Sequence, residues 1–154
     1  MPPTDPAAFV AQAERLTNEG TVDEALAIYA PDAVVDTIVD GARDVQTGRE
    51  AIRASLAAMV PAARGLGVRI SKTLVAADGD TIVARWEGRV GSREGFHGME
   101  SFRLRDDGLV VEHRLYGYFD VRPATGPVAG LRLLVTNPKV ALALLRAQRA
   151  AGRG

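Results

Sequence analysis

The sequence predicts an α+β fold in which three N-terminal helices pack on a curved, mostly antiparallel sheet, with an extra helix near the C-terminus. Three observations predict it. Helix-start signals followed by apolar residues at helical spacing occupy the first 60 residues. Four β-rich or alternating segments separated by short Gly-containing turns follow as a meander. The 154 residues suit one domain, and helices followed by an antiparallel meander form a two-layer α+β architecture.

Element by element, Asp5-Pro6 reads as a cap with Pro at the first helical position, followed by Phe9, Val10, Ala13 and Leu16 at helical spacing. Asn18-Glu19-Gly20 breaks that helix. Thr21-Val22-Asp23-Glu24 is a capping box that starts a short second helix carrying Ala25, Leu26, Ile28 and Tyr29, stopped by Pro31. Residues 33–38 read as a strand and 40–46 as a loop. Thr47-Gly48-Arg49-Glu50 is a second capping box, opening a helix with Ile52, Leu56 and Met59 that is expected to fail at Pro61. The meander comprises 68–75, 81–90, 96–104 and 109–119, with turns at Asp78-Gly79, Arg93-Glu94-Gly95 and Asp107-Gly108. A Pro- and Gly-containing stretch, 123–130, leads to a last helix capped by Asn137-Pro138 and running through Leu145. The expected division is a domain over 1–122 and an extension over 123–154.

Composition excludes several chemistries. Lys+Arg and Asp+Glu are both 19, so the formal net charge is zero and the basic signature of a nucleic-acid binder is missing. There is no cysteine, hence no thiol nucleophile, disulfide or Cys-ligated metal. The two histidines, His97 and His113, do not make a His-rich metal cluster, so no metal or cofactor is expected. Asp36, Asp40 and Asp44 read as solvated loop charges rather than a cation site. No signal peptide or membrane-length apolar run is visible, so a soluble cytoplasmic protein is expected, with no membrane partner.

Five segments resemble the nuclear transport factor 2-like superfamily, and within it the SnoaL-like polyketide cyclases. They are Asn18-Glu19-Gly20-Thr21-Val22-Asp23-Glu24-Ala25-Leu26, Tyr29-Ala30-Pro31-Asp32-Ala33, Gly48-Arg49-Glu50-Ala51-Ile52, Phe102-Arg103-Leu104, and Gly108-Leu109-Val110-Val111-Glu112-His113-Arg114. The resemblance spans about residues 7–120 and implies a cone-shaped barrel shared with ketosteroid isomerase and limonene epoxide hydrolase. It also chooses the face that looks into the cone. The isomerase's oxyanion-stabilising acid falls on Glu100, and its pocket tyrosine on Tyr29. Continuing along the strands places Arg85, Glu87, His113 and Leu115 inward, and a turn near Arg93 puts Arg85 opposite Glu100. Trp86 is expected to face outward, on a homodimer surface.

The family's catalytic sets are incomplete here. The isomerase base falls on Thr37 and its oxyanion tyrosine on Ala13. The hydrolase Arg-x-Asp is mimicked by Arg85-Trp86-Glu87, and its second aspartate falls on Leu115, or on Gly117 if the segment shifts. The resemblance therefore implies a cofactor-free enzyme holding a small apolar, polyketide- or terpenoid-like molecule. The expected chemistry is cyclisation, isomerisation, dehydration or epoxide opening. Glu100 and His113 would exchange protons, Arg85 and Glu87 would polarise or orient an oxygen, and Tyr29, Val35, Thr37, Phe102 and Leu115 would line the substrate. The alternative is a non-catalytic binding or dimerisation module, with Arg85 and Glu100 closed in a structural ion pair.

Overall fold

A computed structural model describes residues 5–119, 131 and 134–151. The chain divides into two compact units, 1–120 and 121–154. In the second, helix α4 (Pro138–Ala151) extends past the expected end at Leu145. The stretch expected at 123–130 lies outside the described residues.

The first unit opens with α1 (Pro6–Glu19), whose Asp5 carboxylate accepts from the free amides of Ala7 and Ala8. The Thr21–Glu24 capping box forms as the sequence predicts and starts α2 (Val22–Ala27). That helix is shorter than expected. Tyr29 already belongs to strand β1 (Tyr29–Val39), whose ladder shifts register between Tyr29 and Val34. Pro31 lies inside that shift, where a residue without an N–H costs no ladder bond. The expected 40–46 loop is largely strand β2 (Ala42–Thr47), hairpinned to β1.

The second capping box does not form: Thr47 ends β2, and Gly48 caps the next helix at φ 82 with no side-chain bond. That helix, α3 (Arg49–Gly65), runs through Pro61 instead of failing there. Pro61 lies one turn from the end, and Arg64 ties the last turn down by donating to the Glu19 and Gly20 carbonyls.

Strands β3 (Val68–Asp78), β4 (Thr81–Val90), β5 (Arg93–Leu104) and β6 (Val110–Tyr118) form the meander. The sheet order is β2-β1-β6-β5-β4-β3, antiparallel except where β1 runs parallel to β6. At the β3 edge, Asn18 of α1 acts as a strand surrogate. Its amide donates to the Ile70 carbonyl at 2.7 Å, and its oxygen accepts from the Ile70 N–H at 2.8 Å. Glu14 accepts from the Lys72 N–H at 2.6 Å, so α1 covers an edge that would otherwise expose unpaired backbone.

The core lies between helices and sheet. Phe9, Val10 and Ala13 of α1, Leu26 of α2 and Ile52 of α3 pack on Val35, Ile82, Ala84, Phe102, Leu104 and Val110. Phe9 meets Phe102 edge to face at 5.1 Å.

Candidate functional site

Register decides which side chains share the concave face. Across four strands, Ala84 of β4 pairs with Glu100 of β5, Glu100 with Leu115 of β6, and Leu115 with Thr37 of β1. The next row is Ile82, Phe102, His113 and Val35. The row on the other side is Lys72, Trp86, Gly98, Gly117 and Val39. Because neighbours in a row point the same way, Tyr29 aside, the inner polar groups are Lys72, Glu100, His113, Thr37 and Trp86.

The structure thus places Glu100, His113, Phe102, Val35, Thr37 and Leu115 on the inner face, but it corrects β4. Arg85 pairs with Met99 rather than Glu100, and Arg85 and Glu87 point outward, joined at 3.4 Å with side chains 59% and 66% exposed. Trp86 is inside, 4% exposed, so the outer aromatic surface is carried by Tyr116 and Tyr118 instead. The cause is one residue. The turn lies at Gly91-Ser92, and the ladder slips between Gly88 and Arg89, leaving Gly95 (φ 130) as the extra residue of a bulge. A slip of one exchanges the two faces of a strand. Accordingly, Arg85→Ala and Glu87→Gln should each change stability by no more than about 0.5 kcal/mol in urea unfolding. A loss above about 2 kcal/mol in either would place that side chain inside.

The partner of Glu100 is Lys72. The ammonium lies 2.5 Å from Glu100 Oε1, with the side chains 7% and 0% exposed. One strand, β4, lies between their backbones, which are two strand spacings or roughly 9–10 Å apart. Between them stands Ala84, whose methyl is small enough to let the two side chains meet above it. Lys72 Nζ also sits 5.9 Å from the Phe102 ring centroid, a cation–π contact. The clue lies in the sequence Val68-Arg69-Ile70-Ser71-Lys72-Thr73-Leu74. Alternation puts Lys72 on the face of Ile70 and Leu74, and a lysine on an apolar face needs a buried anion.

The second Glu100 oxygen meets His113 Nε2 at 3.2 Å, and His113 Nδ1 meets the Tyr29 hydroxyl at 2.8 Å. Phe102 stacks on the imidazole at 4.3 Å and holds the ring plane. Burial pushes the Glu100 carboxyl up, but the Lys72 charge and the His113 hydrogen bond outweigh it and hold the group down at about 2. An ionised carboxylate only accepts, so His113 Nε2 carries a proton and donates it. In the neutral ring Nδ1 then accepts from the Tyr29 O–H. Burial and the Glu100 charge raise Tyr29 well above the usual phenol range, so its hydroxyl stays protonated. Glu100 is consequently an anchoring anion at neutral pH.

Among the described residues no group of three or more His, Asp or Glu side chains is placed to hold a metal ion. A groove of about 520 Å³ lies where Asn18 of α1 meets Ile70, Gly88 and Phe96.

A sequence model of the SnoaL-like domain matches residues 10–113. No curated protein matches the sequence. Several solved structures are similar in fold. The epoxide hydrolase/cyclase-like enzyme SalBIII, of pyran ring formation in the polyether salinomycin, is 23% identical over 73% of this chain and 89% of its own, with a TM-score of 0.57. RV0760c from Mycobacterium tuberculosis is 21% identical over 79% and 96%, with a TM-score of 0.53. A computationally designed 17-OHP binder is 22% identical over 77% and 95%, with a TM-score of 0.52.

Proposed function

The chain belongs to the SnoaL-like domain family, and from that premise we propose that it holds a small apolar, polyketide- or terpenoid-like molecule against the concave face and rearranges it by acid–base chemistry. The reactions in scope are cyclisation, isomerisation, dehydration and epoxide opening. What supports this reading is the unbroken buried chain Lys72–Glu100–His113–Tyr29, which ends in the Tyr29 hydroxyl.

In a cyclisation, the substrate hydroxyl gives its proton to the Tyr29 oxygen while Tyr29 passes its own to His113 Nδ1. The imidazolium is held by the Glu100 carboxylate, as an acid orients and stabilises the histidine of a hydrolase triad. The freed oxygen attacks an electrophilic carbon, for example of an epoxide. The C–O bond there breaks, and the leaving alkoxide takes a proton back from Tyr29, which recovers its own from His113. No atom or charge is left over. Confinement adds to this by holding a floppy chain near its reacting conformation.

A hydroxy-epoxide of terpenoid size tests the reading, because mass spectrometry separates the outcomes. Ring closure leaves the mass unchanged, hydrolysis adds one water, and dehydration removes one. His113→Gln is expected to lower turnover by roughly 10²–10⁴-fold. Full turnover in both His113→Gln and Tyr29→Phe overturns the relay. The saturation of Glu100 by Lys72 and His113 favours a second reading, a non-catalytic binder. Binding of the hydroxy-epoxide by the wild-type protein without conversion would establish that one.

A further inference from the structure

Trp86 carries a donor that no described residue uses. Its side chain is on the inner face of β4, the residue is 4% exposed, and its Nε1 is buried with no hydrogen-bond partner among the described residues. Buried indole N–H groups ordinarily find an acceptor, and an exception calls for an explanation.

The ring is held in place by its neighbours. Gly98 stands directly opposite on β5, and Gly117 opposite Gly98 on β6. A Cβ at Gly98 would come within 2.6 Å of the indole and one at Gly117 within 2.8 Å, so two adjacent strands lack side chains where the ring lies. At Gly98 a Cβ would also strike the Tyr116 carbonyl at 2.0 Å, so backbone crowding demands glycine there too. The far side of the row is Lys72, whose charge is committed to Glu100. The indole nitrogen is therefore a buried atom of this row for which no described residue supplies an acceptor.

We propose that Trp86 Nε1–H binds an acceptor oxygen, a carbonyl or ether, of the molecule held on the concave face. This rests on the binding reading above and sharpens it: the ligand is an oxygenated apolar molecule rather than a hydrocarbon. Along β5, four residues separate Gly98, opposite Trp86, from Phe102, opposite His113. That is roughly 13 Å of strand, so an extended ligand can meet both ends. Trp86 would then set which end of the molecule approaches Tyr29 and His113.

Trp86 is the single tryptophan of the chain, so its indole N–H gives one isolated signal in a ¹⁵N–¹H spectrum. The probes are 2-acetylnaphthalene and 2-isopropenylnaphthalene, which share a shape and differ in C=O against C=CH₂. The expected result is a downfield shift of the indole proton with the ketone only. The ketone should bind roughly 2- to 12-fold tighter, the worth of one neutral hydrogen bond. In Trp86→Phe the two probes should bind equally. Equal binding and equal shifts in the wild-type protein overturn the anchor while leaving the binding reading intact. Binding of neither probe overturns both. The wild-type comparison needs no variant, so a Trp86→Phe chain that fails to fold does not shield the proposal.

Discussion

Lys72→Met alone, or Glu100→Gln alone, should lower the stability of the fold by about 3–5 kcal/mol, because each leaves a buried partner without its counter-charge. For a chain of 154 residues this corresponds to a fall in Tm of roughly 6–20 °C. The two side chains are 7% and 0% exposed, so water cannot compensate for the lost partner. The double variant Lys72→Met/Glu100→Leu should recover most of the loss. Removing both charges also removes both desolvation costs, and apolar replacements of similar volume fill the space. Glu100→Leu still leaves His113 without its acceptor, which keeps the double variant below wild type. The measurement is a double-mutant cycle in urea. Single losses below about 1 kcal/mol that simply add would show that the two groups do not meet in a dry interior.

The same pair should make the fold sensitive to acid in a defined window. The Glu100 carboxyl is held at about 2 in the folded chain, against an ordinary value of 4.5. The folded-state value is depressed, so the stabilisation is complete above about pH 4.5 and is lost as pH falls towards 2. Its size is about 3 kcal/mol, at 1.36 kcal/mol for each unit. Other carboxylates titrate nearby, so the informative quantity is the stability of wild type minus that of Glu100→Gln. This difference should shrink steadily from pH 4.5 downward. A difference unchanged at pH 3 would mean that Glu100 is not an ion in the folded protein.

Local signals in the sequence were sound where the chemistry is local. The Asp5 cap and the Thr21–Glu24 box form because hydroxyl and carboxylate reach amides two or three residues away. The four meander strands follow their alternation, and Glu100, Phe102 and His113 share one face, as the Asp107-Gly108 turn implies. The errors are all ones of competition between a local rule and its surroundings. Thr47 could cap a helix, but β2 takes it into a strand. Pro61 could end a helix, but Arg64 binds the next turn to the end of α1. Arg85, Trp86 and Glu87 lie on the faces opposite to those expected because one bulge residue at Gly95 moves the β4–β5 register. The apolar residues Ile82, Ala84 and Trp86 already marked the buried face.

By itself, the sequence determined that this is an α+β domain without cysteine or a His-rich cluster, whose ionisable and polar side chains are carboxylates, hydroxyls, two imidazoles and cations. Those properties depend on composition and on contacts a few residues long. Only the tertiary structure decided which cation meets Glu100. Lys72, Glu100, His113 and Tyr29 come from four different strands, and the link between Lys72 and Glu100 passes above Ala84 on a fifth. A partnership of that kind is set by sheet order and register. Register in turn is set by single inserted residues, whose effect on every side chain beyond them is all or none.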